Sequence, residues 1–72
     1  MRGNKAIKET RFMRVLREAM YSKKLSQMDL AIALGVRQSQ VSNWLNGRSL
    51  PNYTSIQVIK DKLGIAIEQM FD

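Results

Sequence analysis

Seventy-two residues with no Cys, no His and a net charge of +6 narrow the possibilities before any pattern is read. Without thiols or imidazoles, disulfides and thiolate or imidazole metal sites are excluded, and the commonest nucleophile and base pairings are gone, so no metal and no catalytic residue is expected. A chain this short forms one small domain, which buries only about 60% of its unfolded surface and needs a well-made core, a staple or a partner subunit.

No apolar run approaches the ~20 residues that span a bilayer, and the basic N-terminus lacks the apolar core of a secretory signal. A cytoplasmic protein without membrane contact is therefore expected. The positive charge is unevenly placed. Residues 1–24 hold eight basic residues against Glu9 and Glu18, for +6, whereas residues 25–72 hold four of each sign. A basic segment attached to a neutral globule suits a polyanion, most simply a nucleic-acid backbone. The same charge also describes a solubility-promoting face, so it does not decide the matter alone.

Residues 1–7 read as a flexible basic arm and residues 8–72 as the folded domain. The apolar spacing is helical throughout, without sustained period-two alternation. A first helix of about fifteen residues starts near Lys8. Phe12, Val15, Leu16 and Ala19 form its apolar stripe, with Met13 and Met20 at one margin, while Arg11, Arg14, Arg17 and Glu18 take the opposite face. Ser26, with Asp29 three residues later, resembles a capping box and opens a second helix whose inner face is Leu30, Ala31 and Leu34. Gly35 supplies the left-handed residue that ends it, and Val36 can plug the corner that follows.

A third helix runs from about Gln38 to Leu45 and gathers Val41, Trp44 and Leu45 on one side. Ser39, Ser42, Asn43 and Asn46 fall on the other, flanked by Gln38 and Gln40, and Gly47 ends the helix. A fourth helix starts after Pro51, capped by Asn52, and turns Ile56, Ile59 and Leu63 inward until Gly64. A last short turn carries Ile65, Ile67, Met70 and Phe71. The fold class is all-α, a five-helix globule with short connections and a helix-turn-helix at its second and third helices.

Surface helices usually display Lys and Glu, which are good helix formers. The third helix instead exposes Gln, Ser and Asn, which are the amides and hydroxyls able to donate and accept at base edges. Gln and Asn pair bidentately with adenine N6 and N7, and an uncharged helix can sit deep in a major groove. A bland polar surface is the plain alternative, weakened by the glycine turn, the cap and the inward Val41 and Trp44. Phosphate-suited groups surround this helix. Gln27 lies where the N-terminus of the second helix favours an anion, Arg37 leads into the third helix, and Asn46, Gly47 and Arg48 follow it. A solvated surface charge is the plain alternative for Arg37 and for Arg48.

The stretch Ser26–Arg48 resembles the helix-turn-helix of lambda-type repressors and Cro proteins. The resemblance rests on Leu25-Ser26-Gln27, Leu30-Ala31, Leu34-Gly35-Val36, Ser39, Val41-Ser42 and Trp44-Leu45-Asn46-Gly47-Arg48. It continues through Pro51-Asn52, Ile56, Ile59 and Leu63-Gly64-Ile65, and so covers about residues 12–71. It implies a lambda-repressor-like domain of five helices around one core, bound as a homodimer to a pseudo-palindromic double-stranded DNA operator. By the same resemblance Gln38, Ser39, Ser42 and Asn43 read bases in the major groove, with Gln40 a weaker candidate. Gln27, Asn46, Arg48 and the backbone near Tyr53 meet phosphates, and Arg2 and Lys5 of the arm can reach around the duplex. Four positions depart from the family pattern. Met20 replaces a basic residue, and Lys24 replaces the glycine that ends the first helix, so that turn needs another cap. Arg37 and Ala66 stand at helix starts where Ser or Thr is usual, each costing about 1 kcal/mol relative to a good cap.

Small repressors dimerise because one helix reads too few bases to be specific. Met28, Ile32 and Val58 are apolar yet point away from the inferred core, and Ile67, Met70 and Phe71 form a second apolar group near the edge. The expected dimer contact is the surface around Val58, Gly64 and Ile65, supported by the C-terminal segment. The resulting expectation is a sequence-specific DNA-binding transcriptional regulator that represses by occupying an operator, with no cofactor and no small-molecule ligand. A DNA-binding domain plus an arm leaves no room for an effector or self-cleaving domain, which favours Cro over a full-length repressor. An autoregulating antitoxin or a restriction-modification controller has the same appearance. A protein-binding adaptor working through Met28 and Ile32 is an alternative of another class. A cationic membrane-active first helix is a further one, disfavoured by Trp44 and the helix-breaking glycines.

Overall fold

Five helices account for most of residues 9–71, the part of the chain that the computed structural model describes. They are α1 (Arg11–Lys23), α2 (Gln27–Leu34), α3 (Gln38–Leu45), α4 (Tyr53–Leu63) and α5 (Ile67–Met70), with no strand among the described residues. The all-α, five-helix expectation holds. The arm at 1–7, with Arg2 and Lys5, lies outside the described residues, and the helix start expected near Lys8 is corrected to Arg11, since Glu9 and Thr10 are not helical.

The first described helix begins at Arg11, because Thr10 is extended (φ −85°, ψ 166°) and its hydroxyl accepts the Met13 N–H at 3.2 Å. The Thr10 N–H in turn points at the Met13 sulfur, 3.4 Å away, a cap that no acidic residue announces in the sequence. At the other end, the expectation that Lys24 forces a different cap is corrected. Lys24 itself adopts the left-handed conformation (φ 58°, ψ 44°), and Leu25 N–H closes on Met20 C=O at 2.8 Å. A Cβ makes this conformation unfavourable by about 1 kcal/mol, offset here by the backbone bonds that close the end of α1.

The core is centred on Phe12, which is buried against Trp44 edge-on (centroids 6.4 Å, 71°) and stacked on Phe71 (5.5 Å, 8°). One residue of α1 thus ties α3 and the C-terminal segment together. Around it lie Leu16, Leu30, Ala31, Leu34, Val41, Ile59, Leu63, Ile65 and Met70. Each large apolar side chain buried this fully contributes about 1.5–3 kcal/mol of transfer free energy. α2 packs against α3 and α4, and α1 against α3 and α5.

Four residues are placed differently from the sequence reading. Met13 is buried where a margin is expected, because α1 turns it inward at its own cap. Met70 belongs to the core and not to an outer apolar group, because α5 folds back onto α1 and lays Phe71 on Phe12. Of that group only Ile67 is well exposed. Ile65 is only 8% exposed and Val58 is half-buried against the core, so neither side chain stands on an open apolar surface.

Candidate nucleic-acid interface

The geometry of the candidate site begins with the start of α2. Ser26 Oγ accepts the Asp29 N–H at 3.0 Å and the Asp29 carboxylate accepts the Ser26 N–H at 3.1 Å, a reciprocal capping box. The helix is stopped by Gly35 in the left-handed region (φ 70°, ψ 32°), where Gly35 N–H meets Ile32 C=O at 3.2 Å and Val36 N–H meets Ala31 C=O at 3.0 Å. Residues with a Cβ are strained in that conformation, which is why glycine is needed here. The half-buried Val36 packs on the core inside the bend, and Arg37 (φ −79°, ψ 149°) leads into α3.

Val41 and Trp44 are buried and fix which side of α3 faces inward. The opposite side carries Gln38, Ser39 and Gln40, all exposed, then Ser42 and Asn43, half-buried, and Asn46, exposed just beyond the helix. α3 contains no charged residue, and Arg37 and Arg48 stand exposed at its two ends. The structure therefore brings the predicted base-edge residues onto one uncharged face with a cation at either end. Gly47 is left-handed (φ 75°), and Arg48 N–H bonds to Asn43 C=O at 2.8 Å, so Arg48 is carried directly off the end of α3.

Not every polar group on this face is uncommitted. Gln40 Oε1 accepts the Arg37 N–H at 3.2 Å, and Asn46 Nδ2 donates to Ser42 Oγ at 3.3 Å. Gln38, Ser39 and Asn43 have no side-chain hydrogen bond among the described residues. The sequence reading missed these internal bonds. A glutamine three residues after the helix-preceding residue is a capping signal in its own right and points to the first of them.

The remaining phosphate candidates sit at helix starts. Gln27 is the first residue of α2 and is half-buried. Tyr53 is the first residue of α4 and is 75% exposed, just after Asn52, whose Oδ1 accepts the Ser55 N–H at 2.8 Å. The two helices pack on each other. On α1, Arg14 is exposed and Arg17 pairs with Glu9, an exposed ion pair of little stabilising weight. Gly64 of the expected dimer contact is exposed and left-handed (φ 68°), whereas Ile65 beside it is buried. Among the described residues no helix is long and apolar enough to cross a membrane, and no group of three or more His, Cys, Asp or Glu side chains is placed to hold a metal.

Comparison with known families gives one match. A family model described as helix-turn-helix matches residues 14–70, from the end of the first turn of α1 to the end of α5. Among curated proteins no match was found.

Proposed function

This chain belongs to the helix-turn-helix family of the lambda repressor and Cro type, whose members are DNA-binding regulators, and on that premise we propose that it is a sequence-specific operator-binding repressor acting as a homodimer. One observation carries the reading. Val41 and Trp44 anchor α3 by its inner side, while its outer side presents uncharged amides and hydroxyls between Arg37 and Arg48. α3 enters the major groove, where Gln38, Ser39 and Asn43 meet base edges and Ser42 contributes its hydroxyl. Gln27, Arg37, Asn46, Arg48 and the backbone at Tyr53 hold phosphates and so set the register without reading sequence. Two copies bind the two halves of a pseudo-palindrome, with the surface near Val58 and Gly64 between them. Occupancy of the operator excludes polymerase, and no chemistry or cofactor takes part.

The test is selection of binding sites from random duplexes by the parent and two variants. Asn43→Ala is expected to relax preference at one base pair per half-site by about 1–3 kcal/mol. Arg48→Ala is expected to weaken all sequences alike and to lower the salt slope by about 1. Failure of the parent protein to enrich any motif would sink the proposal. The exposure of Met28 (50%) and Ile32 (72%) favours a second reading, a protein-binding adaptor. A steep fall of DNA affinity with salt, together with discrimination between selected and random duplexes, rules that reading out.

A further inference from the structure

Two of the five helices begin without a side chain able to cap them, and both are closed in the same way. Arg37 precedes α3 and Ala66 precedes α5, and neither makes a side-chain capping bond. A guanidinium has donors only and a methyl has neither donor nor acceptor, so neither can take an orphan N–H. In both helices a glutamine at the third position reaches back instead. Gln40 Oε1 accepts the Arg37 N–H at 3.2 Å, and Gln69 Oε1 accepts the Ala66 N–H at 2.9 Å. α5 carries none of the proposed base or phosphate contacts, so the bond made by Gln69 is explained by the helix start without any reference to DNA. The recurrence identifies a local device of this chain, one half of a capping box supplied from the helix side.

We infer that Gln40 is a positioning residue of the reading helix and not one of its base readers. The inference rests on the operator-binding reading above. Gln38 and Ser39 are the first two residues of α3 and lie between the two ends of the Arg37–Gln40 bond, so that bond closes the turn on which they are carried. Bidentate reading of adenine by an amide requires both its oxygen and its NH2 group. The oxygen of Gln40 is already engaged with the backbone, so capping and bidentate reading are competing uses of one group. Released from the cap, the first turn of α3 frays, and Gln38 and Ser39 lose the fixed placement that base-edge discrimination needs.

Two substitutions at Gln40 separate the roles, because the cap uses an acceptor and bidentate base reading uses a donor as well. In Gln40→Ala, exchange of the Arg37 amide in the free protein should quicken by roughly fivefold, the usual weight of a lost cap. Discrimination between the selected operator and random duplex should fall by a similar factor of about five, spread over the base pairs under Gln38 and Ser39. Gln40→Glu keeps the acceptor and should retain the parental motif and the slow Arg37 amide, while its added charge near phosphates weakens all sequences together. A motif altered by Gln40→Glu, above all a new cytosine at one base pair, overturns the inference, as does an Arg37 amide indifferent to Gln40→Ala. If the parent selects no motif, the operator reading itself fails. If the parent selects one and Gln40→Glu changes it, only the role given to Gln40 fails.

Discussion

α2 and α3 are both eight residues long and share one bend, yet they are built on opposite terms. α2 (Gln27–Leu34) has a complete reciprocal cap, a glycine stop and an apolar composition that extends to its outer face, where Met28 and Ile32 are exposed. α3 (Gln38–Leu45) has no capping side chain before it, only the half-cap from Gln40, and its outer face is polar and uncharged. The difference shows where local helix stability was relinquished. α2 is closed by side chains at its own end, while α3 depends on Val41 and Trp44 gripping the core and leaves its other side open for contact.

The sharpest way to break this comparison is to remove the grip. Trp44→Ala should destabilise the protein by about 3–5 kcal/mol, as the ring facing Phe12 leaves a cavity. Leu30→Ala in α2 should cost about 2–5 kcal/mol by the same mechanism. Domains are stable by only about 5–15 kcal/mol, so Trp44→Ala should lose a large share of that stability and unfold at a much lower urea concentration than the parent. A cooperative transition close to that of the parent would mean that α3 is held by something other than its inner face.

Exchanging the caps of the two helices tests the other half of the contrast. Ser26→Ala should cost about 1 kcal/mol by orphaning the Asp29 N–H. Arg37→Ser should act in the opposite direction, stabilising by up to about 1 kcal/mol, because a hydroxyl introduced there would, with Gln40, complete the box that α3 lacks. The same change removes a cation beside α3 and should lower the salt slope of DNA binding by about 1. A protein that grows more stable and binds less tightly would show that Arg37 is kept for its charge and not for the helix. The two connections flanking α2 offer a smaller version. Gly35 takes the left-handed conformation without strain, whereas Lys24 takes it with a Cβ. Lys24→Gly should raise the unfolding free energy by roughly 0.5–1 kcal/mol.

Where a boundary is set by neighbouring residues it was legible in the sequence. Ser26 with Asp29, Gly35, Asn52 and Gly64 each carry their own local chemistry, and α2, α3 and the start and stop of α4 fall where those residues put them. The division of α3 into an anchored and an open face was legible too, because Val41 and Trp44 recur at helical spacing. Part of what the sequence hid depends on chain segments that meet only in the fold. Met70 and Phe71 become core only once α5 returns to α1, whereas the local caps at Thr10, answered by the Met13 sulfur, and at the left-handed Lys24 were hidden because neither Met nor Lys is a usual signal for its place. The burial of Ile65 likewise belongs to the packed core. Gln40 is a different case. Its composition fits base reading, and only its bond to the Arg37 N–H assigns it to the backbone.

The outer faces themselves give the smallest expected effect. Met28 and Ile32 project from α2 while Gln38, Ser39 and Asn43 project from α3, so polar substitution on α2 leaves the proposed reading surface untouched. Met28→Gln with Ile32→Gln should change stability by less than about 0.5 kcal/mol, because neither side chain fills the core. Operator affinity, motif and salt slope should all match the parent, while the apolar area exposed by α2 shrinks. If the double variant instead loses operator binding at low concentration and recovers it at high concentration, α2 takes part in joining the two copies, and the surface between them extends beyond Val58 and Gly64. The outcome separates an idle apolar face from a working one because α3, whose residues are unchanged, supplies the same base contacts in either case.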